Sequence, residues 1–418
     1  MKNIRAILTV VGMNLAVFNA AALLPVVQAI AAEEQKVSAK VGKPLQEALA
    51  AGQAKQWDQA LTKLREADAV GEKSAYDQFK INQIYAWLYT SQKKYGEAAA
   101  VYEKLLDSGF ISSAESDQYI KQIAQMYLQT KNNTKAMEYL QRWLKGHPGD
   151  NDMTAVLGQL QYQSGQTKQA LDTFAGLVNS AEKAGQKPKE DWLKLMYRIS
   201  YQASGSSTVL DKTTLGIVDK LLRYYPNETY WTAMLAGLRG QQGSDAYQFQ
   251  VDRLRVAVGI LKEPNEFVEM AQLARSLGYA GEALSVMEAG YAKGILGSGP
   301  GKEREDRLRD SVKKLADADV AALPSLDKKA RAAASGQDDA ILGETYMGIG
   351  QYPQAIEALE RGLKKGGIKN PDQAQIALGI AYLRSNQVDK ARTAFKAVDG
   401  DSDLGRIARL WLLHAASK

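Results

Sequence analysis

Residues 116–149, SDQYIKQIAQMYLQTKNNTKAMEYLQRWLKGHPG, contain the pattern from which the fold is predicted. Apolar residues recur in both halves at the spacing of one buried helix face: Ile120, Ile123 and Tyr127, then Ala136, Leu140 and Trp143. The polar residues Lys131–Asn133 separate the two halves, and Pro148 ends the second half because proline cannot continue a helix. The stretch therefore predicts two antiparallel helices joined by a tight turn.

A sequence motif with two small residues, which we call the phrase, recurs along the chain and predicts further copies of this hairpin. A small residue is followed twelve positions later by alanine in seven places: Ala48 and Ala60, Ala86 and Ala98, Ala124 and Ala136, Gly158 and Ala170, Ala271 and Ala283, Gly343 and Ala355, and Gly379 and Ala391. From Ala60 to Ala98 and from Ala98 to Ala136 the interval is 38 residues. The wider gaps leave room for degenerate copies. Such a period indicates stacked repeats, because one hairpin cannot bury its own apolar stripe.

Glycines are expected at the turn inside each repeat, where a positive φ is often needed. The candidates are Gly165, Gly243, Gly278 and Gly350. The small residues of the phrase have a different purpose, since they allow the two helices of a hairpin to approach closely.

The phrase resembles the tetratricopeptide repeat family, and the resemblance extends over most of the chain. It implies an all-α fold, a right-handed superhelical solenoid of about ten helix hairpins with a concave groove and a C-terminal capping helix at 404–414. The middle departs from the pattern, since Thr214 and either Gln248 or Asp252 replace the alanine. Residues 303–336 form another degenerate unit, which contains Pro324.

The N-terminus has the pattern of a secretory signal. Lys2 and Arg5 precede an apolar stretch, and the small-x-small sequence around Ala29 predicts cleavage after Ala31. The alternative is an uncleaved inner-membrane anchor, because the stretch is long enough to span a bilayer. No later segment is long and apolar enough, so we expect no membrane insertion after cleavage. Both alternatives predict that the rest of the chain lies outside the cytoplasm, in a bacterial periplasm.

These patterns divide the chain into six predicted segments. They are a signal peptide (1–31), an N-terminal repeat array (32–188), a degenerate middle (189–264), one repeat unit (265–297), a linker with a degenerate repeat (298–337), and a C-terminal repeat pair with its capping helix (338–418).

Composition argues against catalysis. Cysteine is absent, which excludes disulfides, thiolate nucleophiles and Cys-ligated zinc. The two histidines, His147 and His414, stand at opposite ends of the array and are predicted at a turn or on the surface. The sequence GSGPGK at 297–302 is followed by Glu303 instead of Ser or Thr, so we interpret it as a link between repeats rather than a phosphate loop. We predict no enzyme activity, no cofactor and no metal, and the net charge of +6 without a basic run does not indicate nucleic-acid binding.

The family resemblance places the partner-binding groove on the first helices of the early repeats. The predicted groove residues are Lys80, Gln83, Trp87, Lys121, Gln125, Gln129, Gln159 and Tyr162. Glutamines and aromatics suit an extended peptide, although glutamine is also a good solvated helix former. We expect Trp87 to be exposed for binding. A second aromatic concentration, at 192–231, is expected to be mostly core.

Three longer phrases resemble a bacterial subgroup associated with TonB energy-transduction systems. They are LRYYP at 222–226 leading to Tyr230 and Trp231, ALSVMEAGYAKG at 283–294, and LERGLKKGGIKNPDQAQIALGIAY at 359–382. The resemblance implies an accessory scaffold for protein partners, with TonB, ExbB, ExbD or an outer-membrane receptor among them. The alternative is a scaffold for envelope assembly or polysaccharide export. A third class, an enzyme, would need close carboxylates in a large pocket.

Overall fold

The computed structural model describes residues 36–205, 210–240, 243–400, 402 and 404–417. These residues form twenty α-helices and no β-strand. The predicted signal segment, 1–31, lies outside the described residues. The chain divides into two compact units, an N-terminal unit ending at Ile199 and a C-terminal unit beginning at Ser200.

The N-terminal unit contains four helix hairpins. Its helices are α1 (Ala39–Gln53), α2 (Trp57–Asp68), α3 (Ala75–Ser91), α4 (Tyr95–Leu106), α5 (Ser113–Gln129), α6 (Asn133–Gly146), α7 (Asn151–Gln163) and α8 (Thr167–Lys183), and α9 (Glu190–Ala203) contains the boundary between the units. Each odd-numbered helix from α1 to α7 pairs with the next helix, and neighbouring hairpins pack on each other. The hairpins predicted from the repeated phrase are present.

The repeated alanine has a fixed place in these hairpins. Ala60, Ala98, Ala136 and Ala170 are each the fourth residue of a second helix, and each is completely buried. The small residue of the first helix has an equally clear reason. A Cβ added to Gly158 would lie 2.8 Å from the ring of Phe174 on the partner helix. Small residues therefore set the distance between the paired helices.

The turns inside these hairpins contain a residue in the left-handed backbone conformation, with positive φ. This residue is not always glycine. Gly165, Gly278 and Gly350 have φ of 77–86°, as predicted, whereas the expected positive φ at Gly243 is wrong. A residue with a Cβ has a higher conformational energy at positive φ than glycine. Even so, lysines take the same place in the first three hairpins, with φ of 57–58°: Lys55, Lys93 and Lys131. The turn geometry is thus kept while the residue type varies, which explains why glycine alone does not identify these turns.

Asp77 connects Ser38, the residue before α1, to the second hairpin. It is 1% exposed, and its carboxylate accepts hydrogen bonds from the backbone amides of Ser38 (2.8 Å) and Ser74 (3.0 Å). Its own amide donates to the Ser74 hydroxyl at 3.0 Å, which completes a capping box at α3. Burial alone would raise the pKa of the Asp77 carboxyl, but the donors at Ser38 and Ser74 outweigh burial and lower that pKa below its ordinary value.

We expect Asp77→Asn to reduce the stability of the N-terminal unit at pH 7 by about 1 kcal/mol, the typical value of a helix cap. Because the folded-state pKa is lowered, the charge of Asp77 stabilises the fold above the unfolded pKa and stops doing so as the pH falls through the folded pKa. The difference between wild type and variant should therefore shrink on acidification, measured by urea unfolding at several pH values. A difference that is the same at pH 7 and pH 3 would contradict this role. Glu115→Gln, in the exposed capping box of α5, is the matched control without a contact to another hairpin.

The C-terminal unit repeats the hairpin pattern with more variation. Its helices are α10 (Lys212–Tyr224), α11 (Glu228–Arg239), α12 (Asp245–Ala257), α13 (Pro264–Ser276), α14 (Ala280–Ala292), α15 (Lys302–Ala332), α16 (Gln337–Gly348), α17 (Tyr352–Lys365), α18 (Pro371–Arg384), α19 (Val388–Lys396) and α20 (Gly405–Ala415). Consecutive helices pack side by side here as in the N-terminal unit. The predicted all-α solenoid class is confirmed.

In the middle repeats, polar residues occupy the position at which the other repeats have the recurring alanine of the second helix. Thr214 is completely buried, and its hydroxyl lies 2.6 Å from that of Ser200. Asp252 is also completely buried, beside Arg255 at 3.0 Å and Arg239 at 3.8 Å. Buried hydrogen bonds and ion pairs thus occupy positions that alanine fills elsewhere. The expectation that the aromatics of this region are mostly core is confirmed, since Trp192, Tyr197 and Trp231 are buried.

Residues 302–332 differ from the predicted linker and degenerate repeat. They form one continuous helix, α15, with Pro324 inside it. The segment has no glycine at which a hairpin could turn. Ion pairs one helical turn apart hold it together, including Lys313 with Asp317 at 3.2 Å and Arg331 with Asp327 at 2.8 Å.

The last helix, α20, packs on α19 as the predicted capping helix and also contacts α12. The predicted surface position of His414 is wrong. His414 is 7% exposed, and its ring lies 6.3 Å from that of Trp231 and 5.8 Å from that of Trp411, measured between ring centroids. The end of the chain is therefore buried against the start of the same unit. His147, by contrast, is at the end of α6 as expected, where it stacks on Trp143.

Candidate functional site

The predicted groove residues lie on the first helices of three successive hairpins, α3, α5 and α7. Trp87, Gln125 and Gln159 each follow the small residue that faces the second helix, so they share one register. All three are half-buried. The N-terminal unit therefore presents the same face once per hairpin, with a different side chain each time.

On α3, Lys80 and Gln83 are joined to each other. The Lys80 Nζ donates to the Gln83 Oε1 at 3.0 Å and lies 5.3 Å from the ring centroid of Tyr76. Gln83 also lies near α5, since its side chain influences the Tyr119 hydroxyl on that helix. Burial raises the pKa of that phenol, and the Gln83 side chain opposes the rise. These polar groups lie between two neighbouring hairpins.

Trp87 does not have the exposed position that we predicted. It is half-buried, and its ring lies over Gly52 on α1, where an added Cβ would approach the ring to 2.6 Å. The indole packs on the helix because glycine leaves room for it. Trp87 therefore contributes to the hairpin interface as well as to the predicted groove.

On α5, Lys121 contacts the next repeat. Its Nζ lies 3.5 Å from the Asp150 carboxylate and 4.8 Å from the ring centroid of Trp143. The Trp143 indole N–H donates to the same carboxylate at 2.9 Å. Burial would raise the pKa of Asp150, but the Met153 amide, the Trp143 indole and Lys121 together lower it. Further along this helix Gln129 is exposed.

Gln159 and Tyr162, the last two predicted residues, meet α9. With Gln163 they line a small cavity of about 90 Å³, together with Phe174, Asp191, Trp192, Leu195 and Arg198. The structure thus brings these two predicted residues together with charged side chains of both signs. The contribution of α9 was not predicted, because the phrase is degenerate there.

A larger cavity lies in the C-terminal unit, in a place that the sequence did not indicate. Its volume is about 420 Å³, and its walls come from α12–α18 and α20 and from the turn between α16 and α17. Apolar side chains such as Leu284, Val320 and Ile380 alternate with charged ones. This size and mixed lining are typical of small-ligand sites.

One wall of this cavity is a buried ionic network around Arg253. Arg253 is 3% exposed, and its guanidinium donates to both carboxylate oxygens of Glu282 at 2.8–3.1 Å and to Glu344 at 3.2 Å. Gln373 donates to the other oxygen of Glu344 at 3.0 Å and to the Tyr279 hydroxyl at 2.6 Å. The network joins α12, α14, α16 and α18.

The network keeps its charges despite burial. Burial alone would lower the pKa of the Arg253 guanidinium, but the carboxylates of Glu282 and Glu344 outweigh it and raise that pKa. Arg253 also lies over the ring of Phe249, 4.5 Å from its centroid. Burial and the Glu344 charge raise the pKa of the Tyr279 phenol, which therefore stays neutral and accepts from Gln373. The charged groups of this wall are thus held by one another and by their hydrogen bonds.

Other features that could hold a ligand are occupied or absent. In the glycine-rich loop at 297–302, the Gly297 amide donates to the Glu305 carboxylate at 2.8 Å, so a side chain of the protein already fills the place of a phosphate. Across the described ranges, no group of three or more His, Asp and Glu side chains is arranged to hold a metal ion. Within those same ranges no helix is long and apolar enough to cross a membrane.

Comparison with known families supports the repeat assignment. The tetratricopeptide repeat family model matches residues 342–404, which contain most of α16 and all of α17–α19. The predicted tetratricopeptide repeat family is therefore supported by this part of the chain. No protein with a curated description matches the sequence.

Solved structures that match this chain include tetratricopeptide repeat proteins. YrrB, a tetratricopeptide repeat protein with an unusual peptide-binding site, is 18% identical at a TM-score of 0.29, over 45% of this chain and 87% of its own. A tetratricopeptide repeat protein from Parabacteroides merdae is 14% identical at a TM-score of 0.26, over 72% of this chain and 99% of its own. The TPR2AB domain of yeast Sti1 in complex with pHSP90 is 13% identical at a TM-score of 0.24, over 73% of this chain and 100% of its own. At such low similarity none of them transfers a ligand to this chain.

Proposed function

We propose that the protein is an interaction scaffold that binds protein partners through the N-terminal unit and acts in the periplasm as an accessory component of TonB-dependent uptake. The supporting observation is the half-buried side chain that recurs in one register on α3, α5 and α7, an indole at Trp87 and amides at Gln125 and Gln159. This series ends at the cavity lined by Gln159 and Tyr162. Glutamine amides offer both donors and acceptors, which an extended peptide backbone needs.

The periplasmic location rests on the N-terminal signal pattern, with cleavage after Ala31. The role in uptake rests on the three phrases that resemble the TonB-associated subgroup. Two of these phrases, at 283–294 and 359–382, supply walls of the C-terminal cavity through Leu284, Glu288 and Ile380. Two of the three phrases thus contribute side chains to the same cavity of the C-terminal unit. TonB, ExbB, ExbD or an outer-membrane receptor are the partners that this proposal favours.

An uptake assay tests the proposal. Deletion of the gene should reduce uptake of a nutrient that needs a TonB-dependent receptor and leave uptake of a small sugar that diffuses through porins unchanged. Re-expression of the wild-type chain should restore uptake, as should a variant with Gln141→Glu, an exposed position on the second helix α6. A variant with Gln125→Glu and Gln159→Glu should restore it poorly, because two new charges enter the proposed groove.

Unchanged uptake in the deletion strain, with the protein normally expressed in the parent, would reject the TonB role. A general envelope defect that does not depend on the nutrient would instead favour the alternative, a scaffold for envelope assembly or polysaccharide export.

A further inference from the structure

The cavity of about 420 Å³ in the C-terminal unit has an apolar wall that no described part of the unit covers. Val320 lies on the same face of α15 as Val312, Ala316 and Leu323, which are all buried. Val320 itself is 44% exposed, because the cavity lies in front of it. Leu284, Ile380 and Trp411 line the same space. An occupant of this cavity would therefore bury apolar surface.

Two residues that line the cavity carry side-chain hydrogen-bond donors with no acceptor among the described residues. Trp411 is 2% exposed, and its indole N–H is buried with no hydrogen-bond partner among the described residues. A buried donor without a partner costs free energy, so it calls for an acceptor. Arg384, at the end of α18, lines the cavity and has no ion pair or hydrogen bond with any described residue.

The carboxylates on the walls, in contrast, are already engaged. The two oxygens of Glu282 share the single Nε–H of Arg253, and one of them also accepts from a terminal nitrogen of the guanidinium. Glu288 pairs with Arg309 at 2.7 Å, and Asp317 pairs with Lys313 at 3.2 Å. Among the charged side chains that line the cavity in the described part of the chain, Arg384 alone has no ion pair, and its charge is positive.

From the uncovered apolar wall and the unpaired charge of Arg384 we propose that the cavity binds a small amphiphile with an apolar body and a single carboxylate, such as a medium-chain fatty acid. The carboxylate accepts from Arg384 and from the Trp411 indole, and the chain packs against Leu284, Val320 and Ile380. A peptide fits less well, because each of its backbone N–H groups would need an acceptor inside a cavity whose wall is largely apolar around Leu284, Val320 and Ile380. This site is separate from the proposed protein groove and goes beyond the scaffold role.

Titration calorimetry on the purified full chain tests the site, with dodecanoate below its micelle concentration as the probe. Dodecyltrimethylammonium has the same tail with the opposite charge and should not bind. Arg384→Gln should weaken dodecanoate binding about tenfold, because a charge-assisted hydrogen bond contributes roughly that much. Arg392→Gln, at an exposed position of α19 away from the cavity, should leave the affinity unchanged. The indole N–H signal of Trp411, identified in NMR spectra by its absence from Trp411→Phe, should shift when dodecanoate is added.

Three results would overturn the proposal. One is equal binding of the anionic and cationic amphiphiles, which would indicate non-specific adsorption. Another is an equal affinity of Arg384→Gln and Arg392→Gln for dodecanoate. The third is an apolar hexapeptide with a free C-terminal carboxylate that binds through Arg384 more tightly than dodecanoate, which would assign the cavity to a protein tail. Because Arg384 is exposed, its variant is expected to fold, and circular dichroism checks this.

Discussion

Arg253→Met is expected to lower the free energy of unfolding of the C-terminal unit by about 3–5 kcal/mol. The substitution keeps most of the side-chain volume but removes the only cation that the buried carboxylates of Glu282 and Glu344 contact among the described residues. These two carboxylates are 16% and 8% exposed and would remain near each other without a counter-charge. Native-state hydrogen exchange of the α12 and α14 amides would measure the loss, since it reports each unit separately.

Two comparisons test the reason for this loss. Arg309→Met breaks the exposed pair with Glu288 on the same cavity wall and should have a much smaller effect, because solvent screens that pair. A triple variant with Arg253→Met, Glu282→Leu and Glu344→Leu should regain most of the stability, since it leaves no buried charge of this network unpaired. If Arg253→Met costs no more than Arg309→Met, the network does not join the four helices as described.

Gly336→Ala is expected to destabilise the α16–α17 hairpin by about 3 kcal/mol, at the upper end for overpacking. Gly336 precedes α16, and a Cβ there would overlap the backbone carbonyl of Gly362 on α17. From the other side, a Cβ on Gly362 would lie 2.9 Å from the Gly336 carbonyl oxygen. The backbones of Gly336 and Gly362 are in direct contact here, so no side-chain rotation relieves the clash. Thermal unfolding followed by circular dichroism measures the change.

The matched control is another glycine-to-alanine change in the same unit. Gly216 lies inside α10, and a Cβ there would meet nothing within 4 Å. Gly216→Ala should therefore raise stability by about 1 kcal/mol through helix propensity alone. Opposite signs at the two glycines are expected. A loss at both would mean that glycine is needed for another reason, and a gain at both would mean that the hairpin is more loosely packed.

The hairpins are predictable from the sequence because their signals are local. Ala98, Ala136 and Ala355 are each the fourth residue of a second helix, as the spacing of small residues along the chain indicates. The single helix α15 is also indicated by local sequence features, but two separate observations must be combined to predict it. The alternating charges at 302–310 indicate a solvated helix, and the lack of glycine through residue 332 indicates that no turn interrupts it.

The C-terminal cavity was not predictable, because its walls depend on distant pairs. Arg253 and Glu344 are 91 residues apart, and Gln373 and Tyr279 are 94 residues apart. A repeat phrase describes contacts within and between adjacent hairpins and says nothing about residues two or three repeats away.

Two single positions escaped prediction for related reasons. The burial of His414 depends on Trp231, which lies far away in the sequence. The position of Trp87 depends on a contact at shorter range, because the space over Gly52 is set by how two hairpins pack. The spacing of small residues along the sequence predicts neither contact.

The most direct test of the scaffold role is in-cell crosslinking from a photoreactive amino acid at Gln125, on the proposed groove. The matched control has the same amino acid at Gln141, an exposed glutamine on the second helix of the same hairpin. We predict that Gln125, and not Gln141, captures TonB, ExbB, ExbD or an outer-membrane receptor. The same products from both positions, or none from Gln125 in a folded and exported protein, would contradict the assignment of this face as the partner-binding groove.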